Sequence, residues 1–295
     1  MAALLLGFAS CCERELDSVA PCYAGSAQTR YEGTLVGEDG GRMLAEGIWR
    51  FYWSNGKLQA LGEFRDGEPP GAADELDERT QVPREGRSGH WREWSSEGVL
   101  LFEGCYVAGL RSGRWTSWYP DGTLRARGDY VAGKENGVRC TWHPNGALAT
   151  RGSYDYARKS GVYLEWDPDG VLRQRSVWEL GEREGLGCAW DEAGVRREEA
   201  EYHDGLLDGT RSLWNVQGEL TCISRYSAGE LEGEERLFHP NGQVRVCGSY
   251  EHGEPIGTWR AWDEGGTQIW SREERLPRAA RAELAAKLEK RQTGK

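Results

Sequence analysis

Side chains capable of chemistry are few in this chain, and they are scattered. The eight cysteines are Cys11, Cys12, Cys22, Cys105, Cys140, Cys188, Cys222 and Cys247. No Cys-x-x-Cys pair and no zinc-ligand spacing occurs among them. Cys140 and Cys188 occupy the same slot two repeat units apart. Strand spacing puts them nearly 20 Å apart (~4.8 Å per strand), beyond disulfide reach. They read as small, buried, free thiols. His143 and His239 each open a His-Pro-Asn-Gly turn, four units apart, so they cannot share a metal. Asp167-Pro168-Asp169-Gly170 starts like a calcium loop but lacks the later ligands, and reads as a β-turn. No Gly-rich phosphate loop and no Gly-x-Ser-x-Gly elbow is present. The expectation is therefore no catalytic residue, no metal, no cofactor and no small-molecule substrate, since catalysis needs one unrepeated constellation in a pocket.

What the chain does hold is a repeat. A glycine recurs every 24 residues, at Gly89, Gly113, Gly137, Gly161, Gly185, Gly209, Gly233 and Gly257, with an earlier copy at Gly47. Counting that glycine as slot 0, slot 5 is aromatic (Trp94, Trp118, Trp142 and onward) and slot 9 is Gly. Slot 11 is commonly Leu, slot 15 is always small, and slot 17 is aromatic, usually Tyr. Tripeptides such as Pro120-Asp121-Gly122 and Pro144-Asn145-Gly146 are turn signals: Pro presets φ, and Gly accepts φ > 0. Each unit should be a β-hairpin, with one strand over slots 1–6, a turn over 7–9 and the second strand over 10–17.

The turn suggests a register with slot 5 opposite 11, 3 opposite 13 and 1 opposite 15. Alternation then puts 1, 3, 5, 11, 13, 15 and 17 on one face, where the slot-5 Trp and slot-17 Tyr would stack into a core. The small slot 15 leaves room for a neighbouring ring to lie on the backbone. Slots 2, 4, 12, 14 and 16 would face outward. There Trp115 should meet Arg127 and Tyr163 should meet Arg175 as cation–π pairs, with Glu165 against Arg173. Exposed rings beside Arg are enriched at binding hot spots. Trp49, Trp91, Trp115, Arg127, Tyr163 and Arg175 are thus the candidate partner-binding residues.

The pattern G-x-W-x-x-W/Y-x-x-(D/N)-G-x-L-x-x-x-G-x-Y-x-x-G is carried by units such as Gly47 to Gly67 and Gly113 to Gly133. It resembles the MORN-repeat variant family, which in bacteria includes YwqK-type antitoxins. The resemblance covers roughly residues 47–270. It implies non-catalytic hairpin arrays that bind proteins or membranes, some of which neutralise a toxin. Arg196 at slot 11, Ser176 at slot 15 and Ala157 at slot 20 depart from the pattern.

Composition agrees with such an array. The 295 residues include 41 Gly, 14 Trp and 12 Tyr, but only 38% hydrophobic residues. Mean hydropathy is −0.72, yet disordered chains are poor in aromatics. With 37 basic against 48 acidic residues the net charge is −11, which argues against nucleic acid as a partner. No apolar run of 18 residues exists, so no transmembrane helix is expected. The predicted fold is all-β: an elongated, single-layer antiparallel sheet of tandem 24-residue hairpins, with a short C-terminal helix. Residues 1–22 read as a signal or lipoprotein segment and tether, with Cys11 the candidate lipidation site after Phe8-Ala9-Ser10. Residues 23–46 read as a degenerate first repeat or cap, and 47–271 as the array, with an acidic, solvated insertion at 68–88. Residues 272–295 read as a capping helix and tail. Two functions follow. One is a scaffold binding a protein partner, in its family-implied form a toxin. The other is an envelope-anchored structural lipoprotein contacting lipid or cell wall through its lipidated N-terminus. The first permits a cytoplasmic location, and the second requires the envelope.

Overall fold

The computed structural model describes residues 16–24, 28–37, 42–70 and 82–274. They are all-β, with no helix among the described residues. The expected helix at 277–291 and the expected lipidation site Cys11 lie outside them. The chain divides into two compact units, 1–136 and 137–295. In the first, strands run from Leu16–Val19 through Lys134–Glu135. In the second they run from Gly137–Trp142 through Gln268–Glu273. Within each unit, strands that follow one another in the chain pair antiparallel, except that Glu182–Arg183 and Gly185–Trp190 both pair with Leu172–Glu179.

Two turn types alternate along this meander. The Pro-Asp-Gly turn closes as the sequence demands. The Tyr119 amide donates to the Thr123 carbonyl at 2.8 Å, the Asp121 carboxylate accepts the Thr123 N–H at 2.8 Å, and Gly122 has φ +88°. The spacer between hairpins is itself a two-residue turn. Ala132 (φ 48°) and Gly133 (φ 79°) link Val131 to its partner Lys134, which is type I′ geometry. Ala108-Gly109, Leu180-Gly181, Asp204-Gly205, Ala228-Gly229 and His252-Gly253 repeat it. At Tyr156-Ala157 the second place is Ala at φ 71°, a conformation that costs an L side chain about 1–2 kcal/mol.

The register differs from the expected one, and the difference inverts the faces. Trp118 does pair with Leu124, as predicted for slots 5 and 11. Arg125 is then extruded as a bulge, so that Ser117 pairs with Ala126, Thr116 with Arg127 and Trp115 with Gly128. One extra residue moves every side chain beyond it to the other face. Slot 2 therefore joins 15 and 17, not 14 and 16. Trp49, Trp91, Trp115 and Tyr163, expected outside, are 0%, 1%, 6% and 9% exposed. Arg127 faces Thr116, Arg175 faces Leu164 and Glu165 faces Gln174, so the three predicted cross-strand pairs do not form. The slot-5 tryptophans lie half-buried on the opposite face, near the turns.

The core is the ring face, slots 2, 4, 13, 15 and 17. Slot-0 glycines sit at positive φ (Gly113 at +67°), where each strand bulges against the preceding hairpin. That bulge lays the slot-2 ring of one hairpin over slot 15 of the one before. Trp91 covers Gly62, Trp115 covers Gly104, Tyr163 covers Gly152 and Trp259 covers Gly248, and a Cβ at any of these glycines would land inside the ring. Slot-17 rings meet the same rings edge-on: Phe64–Trp91 at 5.1 Å, Tyr106–Trp115 at 4.9 Å and Tyr250–Trp259 at 5.2 Å between centroids. Each such contact adds about 0.5–1.5 kcal/mol beyond burial. A cation two residues before the slot-0 Gly seals the pair. Arg111 lies 4.8 Å from Trp115 and 5.5 Å from Tyr130, and Lys159 lies 3.6 Å from Tyr163 and 4.5 Å from Trp178.

The departures from the pattern are matched to their neighbours. Ser176, Ala200 and Ser224 at slot 15 precede hairpins whose slot 2 is Gly187, Arg211 and Glu235, none of them a ring. Ser176 accepts the Trp178 indole N–H at 2.8 Å. Arg196, in place of Leu, lies 5.5 Å from the Trp214 ring. The insertion is also not wholly solvated. Its described end packs on the ring face, with Val82 at 0% exposed. Arg87, 1% exposed, donates to Pro83 O at 2.7 Å and to Glu93 at 3.3 Å, and stacks 4.7 Å from Trp91.

Two substitutions test this architecture by denaturant unfolding. Gly104→Ala forces a methyl into the Trp115 ring and should cost about 1–3 kcal/mol; an unchanged midpoint would refute the ring-on-glycine packing. Ala157→Gly should add about 1 kcal/mol by relieving the left-handed alanine.

Candidate binding surface

On the ring face, side chains are consumed by folding. In the second unit part of this face is polar. The Glu235 carboxylate accepts Ser224 Oγ at 2.9 Å and the Tyr250 hydroxyl at 3.2 Å, and Arg211 pairs with Glu198 at 2.6 Å. Burial, reinforced by the Glu235 charge, pushes the Tyr250 phenol from 10 up to about 12.

Both sheet margins are also committed. At the Pro-Asp/Asn-Gly end, turns are tied sideways. The His143 ring donates Nε2–H to Trp166 O at 2.8 Å, and Asn145 donates to Pro168 O at 2.7 Å. His239 and Asn241 do the same to Trp262 and Glu264 at 2.8 Å each. The two His-Pro-Asn-Gly turns are thus fasteners. At the type I′ end, acids preceding the slot-0 Gly accept the first turn amide of the same hairpin: Glu184 from Asp204, Asp208 from Ala228, Glu232 from His252. Glu184, His203 and Asp204 each offer one ligand atom within 4.8 Å of the others. They are engaged with one another, His203 Nδ1 lying 3.0 Å from Glu184. That hydrogen bond chiefly raises the His203 pKa and lowers that of Glu184. Burial raises the thiols of Cys188 and Cys222.

The face opposite the rings remains. In the second unit it carries a row of aliphatic side chains at slot 1: Val138, Val162 and Leu186, 46%, 44% and 38% exposed. Beside it runs slot 14, with Arg151 exposed and Arg175 half-buried and donating to Leu186 O at 2.8 Å. Along this stretch the remaining side chains of slots 3, 12 and 16 are Cys140, Ala149, Ser153, Leu164, Arg173 and Val177, with no carboxylate. At slot 18 of the same strands stand Asp155 and Glu179, one pleat beyond slot 16, and acids return beside the row at the next hairpin, with Glu199 and Glu201. Of the six residues expected to bind a partner, only Arg127 and Arg175 stand on this face. Trp49, Trp91, Trp115 and Tyr163 are core. The aliphatic row escaped the sequence reading because slot 1 was assigned inward; its drift from Ile48 and His90 to Val138 and Leu186 was the available signal.

The MORN repeat variant matches residues 45–66, 111–132 and 231–252. All three matches begin two residues before a slot-0 Gly, so they share one phase of the 24-residue period. MORN repeats are generally protein-binding or membrane-associated modules, and the family is generally non-catalytic. No curated protein matches. Among solved structures, the crystal structure of TcdB2-TccC3-Cdc42 aligns over 82% of this chain and 13% of its own, at 10% identity and a TM-score of 0.15. That of TcdB2-TccC3-TEV aligns over 84% and 13%, at 11% identity and 0.16. The chain therefore spans about an eighth of those chains.

Because the folded chain favours the neutral Tyr250 phenol, this stabilisation holds below pH 10 and is lost as pH rises through about 12. The gap in unfolding midpoint between the natural chain and Tyr250→Phe should shrink from pH 9 to pH 12. A constant gap would show that the Tyr250–Glu235 contact carries no linkage.

Proposed function

We propose that this member of the MORN-repeat variant family is a non-catalytic scaffold that holds a protein partner on the face opposite its rings, over residues 138–186. One observation carries the reading: exposed aliphatic side chains lie beside arginines there, on a face whose folding work is done from the other side. Residues not needed for the core yet apolar and exposed in a row fit an interaction surface. Arg supplies charge-assisted hydrogen bonds to a carboxylate-bearing partner.

Toxin neutralisation is the narrower form of the proposal, and it would appear as rescued growth when toxin and chain are co-expressed. The lipid-anchored alternative rests on Cys11, outside the described residues; mass spectrometry of the mature N-terminus decides it.

The surface itself is tested by placing a photo-cross-linking residue at Val162 in cells. A discrete protein adduct should form, and Arg151→Glu/Arg175→Glu should abolish it. The double variant loses the Arg175 hydrogen bond to Leu186 O and should cost about 0.5–1.5 kcal/mol in unfolding, leaving the chain folded. Adducts that are absent, or indifferent to charge reversal, would overturn the reading.

A further inference from the structure

The partner's shape can be read from the spacing of this surface. The inference rests on the scaffold reading above and adds the kind of element that is held. Val138, Arg151, Val162, Arg175 and Leu186 fall on successive strands of the second unit, Arg151 pairing with Leu164 beside Val162 and Arg175 with Cys188 beside Leu186. Neighbouring strands lie about 4.8 Å apart. Measured across the sheet from Val138, the five residues therefore stand at about 0, 5, 10, 14 and 19 Å. They alternate aliphatic and Arg, with the arginines displaced to one side of the row, at slot 14 against slot 1.

An α-helix rises 1.5 Å per residue, so residues i, i+3, i+7, i+10 and i+14 stand at about 0, 4.5, 10.5, 15 and 21 Å along its axis. The two series agree within about 2 Å over the whole length. On a helix i, i+7 and i+14 share one stripe, while i+3 and i+10 flank it on a single side. An extended strand, with alternate residues about 6.8 Å apart, loses step with the row after its first contact.

We infer that the surface takes an acidic amphipathic helix lying across the strands. Its apolar residues at i, i+7 and i+14 cover Val138, Val162 and Leu186. Its carboxylates at i+3 and i+10 meet Arg151 and Arg175. No carboxylate stands at slots 3, 12, 14 or 16 along the row, and Asp155 and Glu179, at slot 18, lie on the side of it away from the arginines. The acidic stripe of such a ligand therefore meets Arg151 and Arg175, and Glu199 and Glu201 mark where the row ends. The whole chain is acidic, at −11, so this stretch is a local reversal of sign that discriminates for an acidic ligand against the rest of the surface.

The test uses the full chain and a designed 18-residue helical peptide with Leu at i, i+7 and i+14 and Glu at i+3 and i+10. A second peptide of identical composition has both Glu moved to i+5 and i+12. Fluorescence anisotropy should show the first binding at least tenfold more tightly than the second. Arg151→Glu/Arg175→Glu and Val162→Asp should each cost at least tenfold, whereas Arg245→Glu, on another hairpin, should leave binding within twofold. Equal binding of the two peptides, or indifference to the arginine reversals, would overturn the helix assignment. The two proposals separate in the cross-linking experiment. A charge-sensitive adduct at Val162 that excess first peptide fails to compete away keeps the scaffold reading and removes the helix.

Discussion

Everything in this structure depends on a ring seated on bare backbone. The slot-2 aromatic of each regular hairpin occupies the volume that a Cβ would fill on the preceding one, as Trp115 does over Gly104 and Trp259 over Gly248. A sheet of one layer has no second layer to bury against, and the usual aliphatic core is not available to a chain of such low hydropathy. Large flat rings solve this by covering their own sheet. The constraint is strict because it joins two residues in different hairpins. Where the ring is lost at Gly187, Arg211 and Glu235, the facing glycine is lost as well, and Ser176, Ala200 and Ser224 take its place. At Arg139 the ring is lost but Gly128 is kept, so the ring needs the glycine and not the reverse.

The cations above the rings follow from the same geometry. Rings packed edge to face leave part of their π-faces open on the solvent side, and Arg111, Lys159 and Arg183 lie over them. Their stems cover apolar surface while their heads stay near water. In the first unit the insertion replaces solvent, so Arg87 becomes a buried cation held by Glu93, Tyr106 and the carbonyls of Val82 and Pro83. Many of the acids that make the chain negative are engaged at the margins, receiving turn amides at the type I′ end. Charge on this protein is therefore largely structural; on the opposite face Arg175 donates to Leu186 O, while Arg151 stands exposed beside the aliphatic row.

Repetition explains why the surface can have a period. A fold built of identical hairpins presents each slot at a fixed interval. Any row of similar side chains on the open face is then a ruler, and a helical ligand with a near-commensurate rise can read it. Hairpins whose slots drift away, with Glu199 and Glu201 in place of Arg and Val, end the row without disturbing the ring ladder behind it. Folding and recognition are thus divided between the two faces, and either can change while the other is kept.

The period, the hairpins, the Pro-Asp/Asn-Gly turns and the all-strand class were legible in the sequence, because each is local. Pro-Asp-Gly announces its backbone angles within a few residues, and a 24-residue recurrence needs no contact to be seen. That rings form the core was legible too, as was the reason for a small slot 15. Which rings form it was not. Alternation counts residues, and a single bulge residue such as Arg125, with the left-handed Gly at slot 0, shifts the count by one. That shift sends Trp49, Trp91, Trp115 and Tyr163 inward and Val138, Val162 and Leu186 outward. Only the pairing of strands in three dimensions reveals where a bulge absorbs a residue, so only the tertiary structure could decide which face folds the protein and which face is left to bind.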